Sequence, residues 1–168
     1  GADLCTIEEA KDFMKEVPEK IPFMGTSCCP AWSVMAKKTV PQLANCISMA
    51  LTPMVLTARL LKQEEPDCKI VFVGPCAAKK LEAMRTDIRS DVDFVLTFEE
   101  MDGIFDARHV DVEKIEEDPE GVNDASTDGR NFAVAGGVAK SVVDVIHQRY
   151  PDKEIKVANA EGLKECRK

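Results

Sequence analysis

Residues 21–32 read Ile21-Pro22-Phe23-Met24-Gly25-Thr26-Ser27-Cys28-Cys29-Pro30-Ala31-Trp32. The apolar run Ile21 to Met24 has the pattern of a buried strand. Pro30 fits the first position of a following helix, where its missing N–H costs little. Two adjacent thiols are then presented at the C-terminal end of a strand, where open α/β sheets place their ligands. Alone, a Cys-Cys pair is read equally well as two buried packing thiols. A second stretch shifts that balance. Lys69 to Gly74 (KIVFVG) is a continuous β-branched and aromatic run, the pattern of a strand covered on both faces. It closes in Pro75-Cys76-Ala77-Ala78-Lys79-Lys80, so the order strand, cysteine, helix occurs twice. Parallel strands of one sheet deliver both cysteines to the same edge.

The remaining chain fits this frame. Ile7, Ala10, Phe13, Met14 and Val17 recur at helical spacing from a start near Thr6 to Pro18. Glu8, Glu9, Lys11, Asp12 and Lys15 then form a face that reads as solvated. Short helices are expected from Trp32 to Lys38 and from Pro41 to Leu51. A third is expected from Thr52-Pro53 through Leu61, capped by Thr52. Met35, Met49 and Met54 read as core filler. Further strands are predicted at 93–98, 132–135 and 154–158, with helices after Glu99, Gly137 and Glu161. Residues 109–131 read as a long acidic surface loop. The alternation predicts one α/β domain over 1–168: a largely parallel sheet of four to five strands with helices on both faces.

Composition narrows the function classes. The 168 residues are 45% apolar and 31% charged, with a formal charge of -8. An acidic chain lacks the basic face that nucleic acid requires. No run is long enough to span a membrane, and no signal-peptide layout is present, which predicts a cytoplasmic protein without membrane partners. The seven cysteines are odd in number, and no Cys-x-x-Cys occurs. Sulfur ligation drawn from distant parts of the chain suits iron–sulfur chemistry better than catalytic zinc. Cys5, Cys46, Cys68 and Cys166 read as packing thiols.

Two motifs carry a resemblance. Thr26-Ser27-Cys28-Cys29-Pro30-Ala31-Trp32 is similar to the first signature of the catalytic domain of iron-only ([FeFe]) hydrogenases. Pro75-Cys76 followed by Lys79 and Glu82 resembles the second. The likeness extends through Phe132 to Val138, effectively the whole chain. It implies an H-cluster in the parent protein: a [4Fe–4S] cluster joined by a cysteine sulfur to a two-iron subcluster bearing CO, cyanide and a bridging dithiolate. By motif position Cys29 and Cys76 would ligate the cubane. Cys28 would be the thiol that exchanges a proton beside the two-iron centre, and Lys79 would donate to one of its cyanides. Glu82 would be the compensating acid. Glu9 and Asp12, three apart on one helix face, would form the proton path with Ser48. Read without the family, Ser48 is a hydroxyl bonding back to its own helix.

There are departures. Asp12 stands where many members have glutamate, and Gly74 where a methionine usually precedes Pro-Cys. The third signature, with two further cysteines, is absent. The chain also starts at Gly1, so it is expected to be a piece of a longer polypeptide whose remainder completes the site. By itself it is expected to be apo and inactive. The resemblance implies H₂ and protons as substrates and a ferredoxin or similar electron carrier as partner. The alternatives are a hydrogenase-like H₂ sensor and a hydrogenase-related iron–sulfur assembly or scaffold protein. Retention of Cys28 and Lys79 argues against the scaffold.

Overall fold

A computed structural model of the protein describes residues 1–116 and 125–166. The chain packs as two compact units. One comprises Gly1–Leu56 and Ala125–Lys168, the other Thr57–Asp124.

In the first unit the long helix α1 (Ala2–Glu16) packs on α7 (Gly137–Arg149). Ala10, Val142 and Ile146 form the buried contact, with Phe13, Met14, Val145 and Ile155 packed around it. The helical spacing of these residues on both elements places them on facing stripes. Thr6 does not start α1. Its hydroxyl donates to the Ala2 carbonyl one turn back, so the helix begins at Ala2. Helix α2 (Pro30–Thr39) starts with Pro30 in its first turn. A 3₁₀ segment, Pro41–Cys46, replaces the helix expected to Leu51. It stops because Ile47 pairs with Gly25 in an isolated parallel bridge. Thr52 accepts the Val55 N–H and starts α3 (Pro53–Glu64).

The second unit contains the sheet. Strand β1 (Val71–Gly74) lies parallel to β2 (Phe94–Thr97), with Val71 opposite Phe94 and Gly74 opposite Thr97. Helix α4 (Ala78–Ala83) lies between them in sequence, and α5 (Phe98–Ala107) follows β2. The Thr97 hydroxyl accepts the Glu100 N–H while the Glu100 carboxylate accepts the Thr97 N–H, a reciprocal cap at the start of α5. Arg59 pairs with Asp91 at 2.8 Å and Lys62 with Asp93 at 3.0 Å. Asp93 also accepts the Ile70 N–H, and that bond with its two lysines holds its carboxyl far below the usual carboxylate range.

The fold class is therefore α/β with a parallel sheet, but among the described residues the sheet has two strands, not four or five. Residues 21–27 contribute only the Gly25 bridge. Asn131–Ala133 form a 3₁₀ turn between α6 (Thr127–Arg130) and α7. Residues 154–158 form no strand and have no ladder partner, and α8 (Gly162–Glu165) follows. Met49, expected in the core, is 74% exposed, whereas Met54 is buried. Of the loop expected at 109–131, residues 117–124 lie outside the described residues. Among the described residues no helix is long and apolar enough to cross a membrane.

Candidate functional site

The first unit carries Cys28 and Cys29 at the mouth of α2. Cys29 occupies the N-cap position, and its Sγ accepts the Trp32 N–H at 3.5 Å. An N–H donated to sulfur at the positive end of a helix is the surrounding that a metal-bound thiolate takes. Cys29 is exposed and Cys28 half-buried.

Glu9 departs from the solvated face expected of it. It is 2% exposed. Its Oε1 accepts the Ser27 N–H at 3.3 Å, immediately before the Cys28-Cys29 pair. Burial pushes the Glu9 carboxyl above the ordinary glutamate range. Hydrogen bonds from Ser48 and Ser27 pull it partway back, and the negative charge of Asp12 pushes up again. The Ser48 hydroxyl does not bond to a helix of its own. It reaches Glu9, and its oxygen accepts the Ala50 N–H at 3.1 Å. The Gly25–Ile47 bridge fixes its position through the Ser48 N–H, which donates to the Gly25 carbonyl. Asp12, one turn beyond Glu9, lines a cavity of about 230 Å³ with Ser48, Glu16 and Asn45. A buried carboxyl of raised proton affinity thus stands beside a hydroxyl, with a second carboxylate in an open cavity next to it. Such a set can hold and pass protons.

The second unit carries Cys76, Lys79 and Glu82. Cys76 is exposed in the turn between β1 and α4, and its carbonyl accepts the Lys79 N–H. Lys79 Nζ lies 2.7 Å from Glu82 Oε2, and Glu82 is 3% exposed. The pair fixes the ammonium at the start of α4. At Gly74 a Cβ would stand 2.6 Å from the Phe72 ring, so a methionine there requires that ring to shift.

Sequence reasoning missed two contributors. Ser27, inside the first motif, tethers Glu9 through its N–H. Trp32 supplies the N–H to Cys29. The Trp32 signal was present, since a residue three positions after an N-cap regularly donates to it, whereas the Ser27 contact joins residues 18 apart in sequence and had no local signal. Among the seven cysteines, Cys29 and Cys76 are the exposed ones, while Cys5 and Cys46 are sealed in the interior. The thiols of Cys29 and Cys76 are thus each open to a ligand in their own unit, whereas Cys5 and Cys46 are enclosed by packing. Among the described residues no group of three metal-binding side chains forms.

Comparison with known proteins adds the following. The whole chain, residues 1–168, matches the family described as the C-terminal domain of the iron only hydrogenase large subunit. Iron hydrogenase 1 of Clostridium pasteurianum is 33% identical over 159 residues, covering 85% of this chain and 28% of that protein. The cytosolic Fe-S cluster assembly factor NAR1 of Kluyveromyces lactis is 38% identical over 81 residues, covering 48% of this chain and 17% of its own length. A variant of apo [FeFe]-hydrogenase HydA1 from Chlamydomonas reinhardtii superposes with a TM-score of 0.67 at 27% identity. That match covers 88% of this chain and 42% of the algal one. The chain therefore spans less than half the length of these relatives.

Proposed function

The chain belongs to the family of C-terminal domains of iron-only hydrogenase large subunits, and on that premise we propose that its parent protein interconverts H₂ with protons and electrons at an iron–sulfur H-cluster. The observation that carries this reading is the selective exposure of the two signature thiols, Cys29 and Cys76. Each supplies one thiolate to a [4Fe–4S] cubane. Such a cubane takes four ligands, so the 168 residues by themselves hold no stable cluster and turn over no H₂. The remaining ligands come from the rest of the parent polypeptide. The bound cluster and its two-iron subcluster supply electron storage and the making and breaking of the H–H bond.

The chain's own residues handle protons and charge. Cys28 carries the proton nearest the reaction. Glu9, its proton affinity raised by burial, stores the next one, with the Ser48 hydroxyl as its hydrogen-bonded neighbour. Asp12 takes protons from the cavity it lines, and its short side chain would need a water to reach onward. Lys79, anchored on Glu82, presents a fixed positive charge to an anionic ligand of the cluster. Electrons pass to a ferredoxin or similar carrier.

The test is anaerobic maturation of the large-subunit polypeptide with and without substitutions. Cys28→Ser is expected to retain the cluster spectrum and lose about 100-fold or more of H₂ evolution. Cys29→Ser and Cys76→Ser are expected to lose the cubane signal itself. Wild-type turnover by Cys28→Ala would sink the assignment. A second reading, an iron–sulfur assembly factor, is favoured by the likeness to the Kluyveromyces protein. It predicts a matured polypeptide with a cubane but no infrared bands from CO or cyanide.

A further inference from the structure

The cavity of about 230 Å³ beside Asp12 has a sulfur in its wall that the proposed chemistry does not use. Met49 follows Ser48 directly and lines that cavity together with Asp12, Glu16 and Asn45. It is 74% exposed. Its thioether is also engaged. Lys37, in the last turn of α2, aims its ammonium at Met49 Sδ, 3.5 Å away and 12 residues on in sequence. A lysine in that position ordinarily serves the last carbonyls of its own helix. A thioether is only a weak acceptor, so a strong donor is poorly used while the sulfur is reduced.

A sulfoxide changes that balance. Oxidation places one oxygen on the sulfur and turns an apolar, pliant side chain into a polar one. That oxygen is a full hydrogen-bond acceptor, and an ammonium bond to it is charge-assisted. The same ammonium favours the oxidation step. As the sulfur attacks one oxygen of hydrogen peroxide, an S–O bond forms, the O–O bond breaks and negative charge develops on the departing oxygen. A cationic donor beside the sulfur stabilises that charge. The departing hydroxide takes the proton of the sulfur-bound hydroxyl, leaving sulfoxide and water. Sulfur has lost two electrons and the peroxide has gained them. Met84 supplies the comparison within the molecule. It is 73% exposed, and no ammonium contacts its sulfur among the described residues.

We infer that Met49 is a modification site for hydrogen peroxide, with the Lys37 ammonium assisting the oxidation and then holding the sulfoxide oxygen. The modified side chain ties α2 to the segment that carries Ser48 and sets an oxygen acceptor on the wall of the cavity. Its effect on proton passage rests on the proton-passing role proposed for Asp12 and Ser48. The modification itself does not, and its test reads mass and lysine reactivity rather than H₂, so the two fail separately.

The experiment treats the large-subunit polypeptide with dilute hydrogen peroxide, before maturation so that no cluster consumes the oxidant, and follows each methionine by peptide mass. Met49 is expected to gain one oxygen on the order of 5-fold faster than Met84. Lys37→Leu is expected to bring the two rates together. In the oxidised wild type, reductive methylation of Lys37 is expected to slow, because the sulfoxide oxygen occupies its ammonium, while methylation of the neighbouring Lys38 is unchanged. Equal rates at Met49 and Met84 in the wild type would overturn the inference. So would a Met49 that stays unoxidised, a rate advantage that survives Lys37→Leu, or a Lys37 whose methylation ignores the state of Met49.

Discussion

The Glu9 carboxylate accepts the Ser27 N–H at 3.3 Å from a position 2% exposed. A side chain on the polar face of α1 is thereby drawn under the Cys28-Cys29 turn. Burial is the largest influence on its proton affinity and raises it. In the interval between the ordinary glutamate value, about 4.5, and the raised folded value, the folded state binds more protons than the unfolded one. Stability from this group is full below the interval and falls as pH rises through it. Glu9→Gln removes that component. The difference in urea midpoint, Glu9→Gln minus wild type, is expected to grow in favour of the variant as pH rises from about 4.5. A difference that stays flat with pH would contradict a raised Glu9.

Ser48→Ala removes the hydrogen bond that most favours ionised Glu9. It also strips the Ala50 N–H of its acceptor. The Glu9 titration, followed by NMR of labelled glutamate, is expected to move to higher pH in this variant. The chain is expected to lose about 1–2 kcal/mol. A downward shift would mean that Ser48 donates elsewhere.

Much of this arrangement was legible in the sequence, and the failures have physical causes. α1, α3 and α7 announce themselves through apolar residues at helical spacing, and Pro30 and Thr52-Pro53 mark starts that the structure keeps. Strand propensity is weaker because it measures how well a residue fits beside neighbours. Val71–Gly74 and Phe94–Thr97 have each other and form a ladder. Residues 154–158 have the same alternation without a neighbour and stay unpaired among the described residues. Residues 132–135 had strand character but give way to a 3₁₀ turn, where the chain crowds against Gly137. Glu9 was placed by its motif neighbours and not by its periodicity, which put it in solvent.

The Lys79–Glu82 pair is expected to behave as a buried ion pair, with Glu82 3% exposed. Glu82→Ala removes the carboxylate 2.7 Å from the ammonium and is expected to destabilise the chain by about 1–3 kcal/mol. Replacing both with apolar residues of similar volume, Lys79→Met with Glu82→Leu, is expected to cost less than the single change. Urea unfolding of the two variants decides it. If the single change is the milder one, the pair does not govern the stability of α4.

The last prediction concerns the adjacent glycines Gly136 and Gly137, which do different work. Gly136 has φ 73°, the left-handed region that disfavours side chains, so Gly136→Ala is expected to cost about 1–2 kcal/mol. Gly137 has ordinary backbone angles, but a Cβ there would sit 1.8 Å from the Asn131 carbonyl oxygen. That contact involves backbone on both sides, so it is relieved only by moving the start of α7 away from the 131–133 turn. Because α7 supplies Val142 and Ile146 to the contact with Ala10, the displacement reaches the helix that carries Glu9. Gly137→Ala is therefore expected to destabilise more than Gly136→Ala. It is also expected to release part of the Glu9 carboxyl to solvent, lowering its titration toward the ordinary range. Urea unfolding orders the two variants, and the labelled-glutamate titration checks the coupling. An unmoved Glu9 in a folded Gly137→Ala chain would show that the strain is absorbed within the turn.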